Sequence, residues 1–477
     1  MAARTLDPRR GGGDQPPAAW SADRQTQAIR EKAELFAKGV SGELLGGDRP
    51  AAIQSRRIRH MSPSENAGYA PGAVMRFEIP TAPNTFLVTD TTLDLTVRTD
   101  ANNHVFDGSI GAGSIIERIR VFSGSQLLTD TSHYAKLANL ITDVSKSYTA
   151  TGTSGATCYL GPNEYSTAEL AAATTIVPYQ DAATSLFNGA GDQAVSIPLM
   201  DGIIGSLAGN KAFPLHACSA APLRVEITLA SNAAGIQGQG GAVNWTVVNQ
   251  PYLRCTIVEV SDRAMELIDD TTPSPVFNTV GYASSTSSPT ANQTSNTVNL
   301  PFSYTSIKHL LTGYYMTANE ADQLTGSQSA RATGGAAVAF PNLNGSDECY
   351  WTIGASRVPS QPLQGGAQMA VSAQECFSLT THLTQASNHL QPTSWNRGGA
   401  VCDGVLKARA GTRAYCLDCE TMGPASQFIE SGINTTNAAV SVTVSWAAAV
   451  ANPMTVYSWA GYDLRVDFAN GVAFARY

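Results

Sequence analysis

From residue 74 onward the chain alternates apolar and polar residues with a period of two, and this pattern excludes most architectures. Val74-Met75-Arg76-Phe77-Glu78-Ile79 and Leu93-Asp94-Leu95-Thr96-Val97-Arg98 each place one apolar set on one face of an extended strand. The same reading predicts strands at 115–122, 195–199, 223–229 and 252–260. A joint with two prolines, Asp269-Asp270-Thr271-Thr272-Pro273-Ser274-Pro275, interrupts the pattern. It then restarts, with strands predicted at 297–302, 306–312, 350–353, 440–446, 454–459 and 462–468.

Helical spacing is rare. It occurs at 132–144, where Tyr134, Leu137, Ala138 and Ile141 share a face, and at 372–383. A third helix is predicted at about 21–38, with Ser21 as its N-cap, Gly39 as its stop and Ile29, Leu35 and Phe36 as a thin apolar stripe. At 477 residues the chain exceeds what one core supports, so several domains are expected. The expected plan is an N-terminal arm over 1–65, a β-rich unit over 66–268 and another over 269–477. The arm is Gly/Pro/Arg-rich at 1–19, and its 44–63 segment reads as irregular and basic. Short strands with turn signals point to all-β sandwiches, barrels or jelly rolls rather than α/β units.

Only 14% of residues are charged, against ~25% in an average soluble protein. A low charge fraction on a long chain suggests surface buried against other subunits; a secreted β-protein with Ser/Thr-rich loops is the competing reading. The net charge of −8 argues against a general nucleic-acid binder. It divides unevenly: residues 1–60 hold 11 Lys/Arg and 7 Asp/Glu, a net of +4, which leaves −12 on the rest. The opening stretch MAARTLDPRRGGGDQPP has no apolar signal-peptide core, and no apolar run is long enough to span a membrane. A reducing compartment is therefore expected, with the eight cysteines acting as small hydrophobes. On the same ground the sequons at Asn244, Asn292, Asn344 and Asn434 read as chance matches.

Chemical motifs are sparse. No nucleophile elbow, zinc-protease helix or phosphate loop is present, and Gly111-Ala112-Gly113 precedes a strand rather than a helix. Cys416 and Cys419, spaced as C-x-x-C, have three readings: structural thiols, half of a zinc site, or a disulfide. His382 and His389 have no carboxylate at a metal-like offset. Neither a catalytic residue nor a cofactor is expected. A sugar-binding or sugar-cleaving β-sandwich remains a rival class, as does a surface-layer or fibre adhesin; both are usually secreted.

Several segments resemble the double jelly-roll major capsid proteins of virophages, polinton-like and adinto-like viruses, and more distantly those of large DNA viruses and membrane-containing phages. Tyr69-Ala70-Pro71-Gly72 followed by the strand ending Phe77-Glu78-Ile79-Pro80 looks like the opening strand of that family. Asn84-Thr85-Phe86-Leu87, the run from Ile115 to Ser123, Leu127-Leu128 and Tyr134 follow in the family's order. So do Val195-Ser196-Ile197-Pro198-Leu199, Gly202-Ile203-Ile204-Gly205, Lys211 and the 223–229 strand. In the second half Ile353-Gly354, Pro359, Pro362, the run from Ser431 to Thr436, Tyr457, Tyr462-Asp463, Val466 and Gly471 look similar. The likeness spans about 69–477; the long arm and the insertions at 145–190 and 315–350 have no counterpart in it.

The resemblance implies two tandem eight-stranded jelly rolls with short helices in connections, and a structural, non-enzymatic role. It implies homotrimers that are pseudo-hexagonal and tile an icosahedral virion shell, assembled inside the host cell. The implied partners are neighbouring capsomers, penton and minor capsid proteins and an internal membrane, with no sequence-specific nucleic acid. The insertions would form outward loops. The arm would face inward; its Ile29, Leu35 and Phe36 stripe, beside the basic cluster Arg56, Arg57 and Arg59, favours latching onto neighbouring subunits, with a membrane surface and the genome as the alternative contacts.

Overall fold

The computed structural model describes residues 53–63, 68–99, 112–145, 191–208, 211–231, 244–271, 275–316, 348–364, 412–420, 432–450 and 453–477, plus short pieces at 104–105, 164–166, 237–238, 241–242, 368, 372, 376, 401–402 and 405–407. In the first half eight principal strands run in order: β1 (Ile53–Met61), β2 (Val74–Ile79), β3 (Thr85–Thr99), β4 (Ile116–Ser123), β5 (Gln126–Ser132), β6 (Gly191–Pro198), β7 (Leu223–Leu229) and β8 (Trp245–Val260). Helix α1 (Tyr134–Ser145) stands between β5 and β6.

These strands form two antiparallel sheets, β1-β8-β3-β6 and β2-β7-β4-β5. Thus β1 pairs with β8, β2 with β7, β3 with β6 and β4 with β5. That nested pairing is the winding of a jelly roll. The alternation explains it: Met75, Phe77 and Ile79 of β2 are buried while Arg76 and Glu78 are exposed, so one face of each sheet meets the other. A three-residue strand, Ala212–Pro214, adds to β3.

The second half repeats the plan with β9 (Val276–Ser287), β10 (Gln293–Leu300), β11 (Ile307–Met316), β12 (Glu348–Ile353), β13 (Ser356–Gln364), β14 (Thr412–Asp418), β15 (Val440–Val450) and β16 (Met454–Ala469). The sheets are β9-β16-β11-β14 and β10-β15-β12-β13. The nesting recurs as β9 with β16, β10 with β15, β11 with β14 and β12 with β13. A last strand, β17 (Val472–Arg476), folds back on β16. The fold is all-β, two jelly rolls in tandem, as expected.

Several local expectations change. Residues 53–61, expected to be irregular, form β1, which is paired along its length with β8. The first roll therefore opens there and not at β2. Residues 269–271, read as the start of the joint, belong to a helix, α2 (Asp262–Thr271), with the Ser261 hydroxyl accepting from the Ala264 N–H at its start. The strands predicted at 454–459 and 462–468 are one strand, because Ala460-Gly461 continues the pairing without a turn. β13 was not foreseen. Residues 348–350, assigned to an insertion, begin β12. The rest of both insertions, apart from 145, 164–166 and 315–316, lies outside the described residues. So do the 21–38 helix and the 372–383 helix, of which only Ser372 and Cys376 are described, both helical.

Candidate functional site

The two rolls share a seam, and its centre is the β6–β7 connection. Asp201 is fully buried there. Its carboxylate accepts from the backbone N–H of Ile203 (2.8 Å) and Ile204 (3.1 Å) and from the Thr129 hydroxyl (2.9 Å). Burial pushes its pKa up, against the pull of those hydrogen bonds. The tight turn so fixed presses Gly202 onto the second roll. A Cβ there would sit 2.1 Å from the Val280 carbonyl oxygen, which is why the position takes glycine.

Around this point the rolls interlock. The Thr279 hydroxyl donates to the Gly202 carbonyl, and Lys211 Nζ donates to the Asn278 carbonyl. Phe213 meets Phe277 and Phe468 edge-on at 5.2 and 5.4 Å between ring centroids. Such pairs add to the burial of apolar area. Thus the outer edge of β9, the edge strand of its sheet, is laid against the first roll. Trp459 Nε1 donates to the Ser132 carbonyl, and Lys136 lies 4.0 Å from the Tyr457 ring centroid. Leu137, Leu140 and Ile141 of α1 join the core of the second roll. Phe277, Tyr462, Leu464, Val466 and Ala473 join the core of the first.

A half-buried ionic cluster lies in the second roll. Lys308 Nζ is 2.6 Å from Glu420 and 3.4 Å from Asp463, whose other oxygen accepts from the Ser306 hydroxyl at 2.6 Å. Next to it, buried His309 places Nε2 2.8 Å from the Tyr282 hydroxyl. Burial and then the Lys308 charge push this imidazole down to about 3, so it is neutral at physiological pH.

Cys416 and Cys419 stand at the end of β14, both buried. The Cys416 carbonyl accepts from Ser372, and the Cys419 N–H donates to the Lys308 carbonyl. Burial pushes the Cys419 thiol up to about 12, which favours the thiol over the thiolate a metal takes. Among the described residues no three His, Cys, Asp or Glu side chains gather as metal ligands. His382 and His389 lie outside the described residues.

Of the arm residues, Ile29, Leu35 and Phe36 also lie outside them. Arg56, Arg57 and Arg59 are exposed on β1, not on an irregular segment, and Arg57 pairs with Glu259 at 3.7 Å. Ile53 (57% exposed), Ile58 (60%) and Tyr252 (38%) make this sheet edge apolar as well as basic. Sequence reasoning missed this edge as an apolar surface, and it missed the role of Gly202. The only available signal was isoleucines spaced among arginines in 53–61.

No family model and no curated protein matches the chain. Solved structures do. A chain of the PBCV-1 virus capsid matches with a TM-score of 0.58 and 10% identity, over 91% of this chain and 100% of that one. A chain of the Sputnik virophage matches at 0.55 and 13%, over 92% of each. The mavirus major capsid protein matches at 0.52 and 11%, over 92% of this chain and 94% of its own. At such identities the likeness is one of fold, and it runs through both rolls.

Proposed function

We propose that the chain is the major structural subunit of an icosahedral virus shell, with no catalytic role. One observation carries the reading: both jelly rolls, in tandem and in order, match capsid chains over nearly the whole length of each. Three copies would form a pseudo-hexagonal trimer, and trimers would tile the shell beside penton and minor capsid proteins. The virion is its place of residence. The low charge fraction supports extensive burial between subunits.

The arm preceding β1 would face the particle interior and latch neighbouring trimers through Ile29, Leu35 and Phe36, or touch an internal membrane where one exists. The insertions at 145–190 and 315–350 would face outward, since Gly/Ser/Thr/Asn-rich stretches suit solvated tips. Light scattering on the purified protein tests the core of this reading. A stable species at three times 50.0 kDa is expected. A monomer that binds glycans would replace it with the sugar-binding sandwich.

A further inference from the structure

Lys308, Glu420 and Asp463 form a shielded triad that a purely structural role leaves without a task. Their side chains are only 18%, 13% and 11% exposed, so water has little access. Lys308 Nζ lies 2.6 Å from Glu420 Oε1 and 3.4 Å from Asp463 Oδ1. The backbone pins the group. The Asp463 N–H donates to the Ser306 carbonyl at 3.0 Å, and the Cys419 N–H to the Lys308 carbonyl at 2.7 Å. The register of β11 on β16 slips between Ile307 and His309, which puts Lys308 at an irregularity of the ladder. Such bulges re-aim a side chain.

Ser306 completes the arrangement. Its hydroxyl oxygen accepts from the Gly432 N–H at 3.1 Å, and the hydroxyl donates to Asp463 Oδ2 at 2.6 Å. One carboxylate oxygen is thus held by a donor while the other faces the amine. As an ion pair alone the group is poorly repaid, since desolvating the ions offsets their attraction.

Burial pushes Asp463 up, towards its protonated form, against the pull of Ser306 and Lys308. Burial also opposes the Lys308 charge, but the two carboxylates outweigh it and hold the ammonium. A proton must therefore leave Nζ before the amine can attack, and Glu420 is within reach to take it.

We propose that Lys308 and Asp463 join in an amide, an isopeptide cross-link that the folded chain forms by itself with Glu420 as proton carrier. Glu420 takes one proton from Nζ and passes it to Asp463 Oδ1, leaving a neutral amine beside a neutral acid. Nζ then attacks Cγ; the C–N bond forms and the carbonyl π pair moves onto Oδ2, where the Ser306 hydroxyl steadies it. Glu420 carries a second proton from Nζ to Oδ1. The Cγ–Oδ1 bond breaks, its electron pair leaves with water, and the Oδ2 pair restores the carbonyl. Ammonium and carboxylate become amide and water, Glu420 is unchanged, and no oxidant or cofactor enters. The event occurs once per chain. The link ties β11 to β16 and encloses β12 to β15 between its ends, so the second roll cannot come fully apart.

Intact mass spectrometry of the full chain, denatured after overnight incubation in the folded state, tests this. The parent is expected lighter than its sequence requires by one water, about 18 Da. Peptide mapping should find the Lys308 and Asp463 peptides joined. Lys308→Arg keeps the charge without the nucleophile and should show the full sequence mass. Glu420→Gln should slow the loss at least ~10-fold, with circular dichroism reporting that it folds. A folded parent at its full sequence mass, or a water loss that persists in Lys308→Arg, overturns the cross-link. A folded Glu420→Gln variant that links as fast as the parent overturns the role of Glu420.

Discussion

Gly202 has no room for a side chain, and the atom in the way is backbone of the other roll. Gly202→Ala should therefore wedge the seam and cost about 2–3 kcal/mol in urea unfolding, as overpacking does. Asp201 separates geometry from charge. Asp201→Ala orphans two buried N–H groups and should cost about 2–3 kcal/mol. Asp201→Asn keeps an acceptor and removes a buried charge, so its loss should be smaller, about 1 kcal/mol or less. His309 links stability to acid. Its folded pKa of about 3 lies below the unfolded value of 6.5, so between those values the unfolded chain binds the extra proton. The stability this gives is complete above pH 6.5 and lost as pH falls towards 3. Asp201 and Asp463, both raised, act in the opposite sense, but they cancel when parent and variant are compared. His309→Gln should thus cost about 2 kcal/mol less at pH 5 than at pH 7. An equal cost at both values would show that the imidazole is not held neutral.

At the scale of elements, what the sequence shows depends on how a strand is buried. β2, β3 and β4 each bury one face, so their alternation is visible in the residues. β1 exposes both faces of an edge, so selection for burial leaves no period in it, and its arginines make it read as a tail. β13 is hidden for a related reason: with no fully buried residue and two prolines, it looks like a loop. α2 was obscured by the Asp269-Asp270 pair and the prolines after it. The seam is the least visible part, because Asp201, Gly202 and Thr279 meet only when two distant segments pack. The placement of β1 has a direct consequence. Removing residues 1–50 should leave soluble, folded protein that forms closed particles poorly. Removing 1–62 strips β1 and bares the β8 edge, a template for aggregation. Sedimentation of the two truncations side by side distinguishes a separable arm from a strand of the sheet.

The whole molecule has two sandwiches but no clean division between them. Tyr462, Leu464, Val466 and Ala473, near the end of the chain, complete the hydrophobic core of the roll at its beginning. The Ala220 and Ala221 N–H groups both donate to the Gly471 carbonyl. During synthesis the ribosome releases β8 roughly two hundred residues before these closing side chains, a delay of about 10–40 s at ordinary elongation rates. Through that interval the nascent first roll carries uncovered apolar surface and an unfilled seam. A chain cut short before Tyr462 therefore lacks side chains that its own first half uses to close its core.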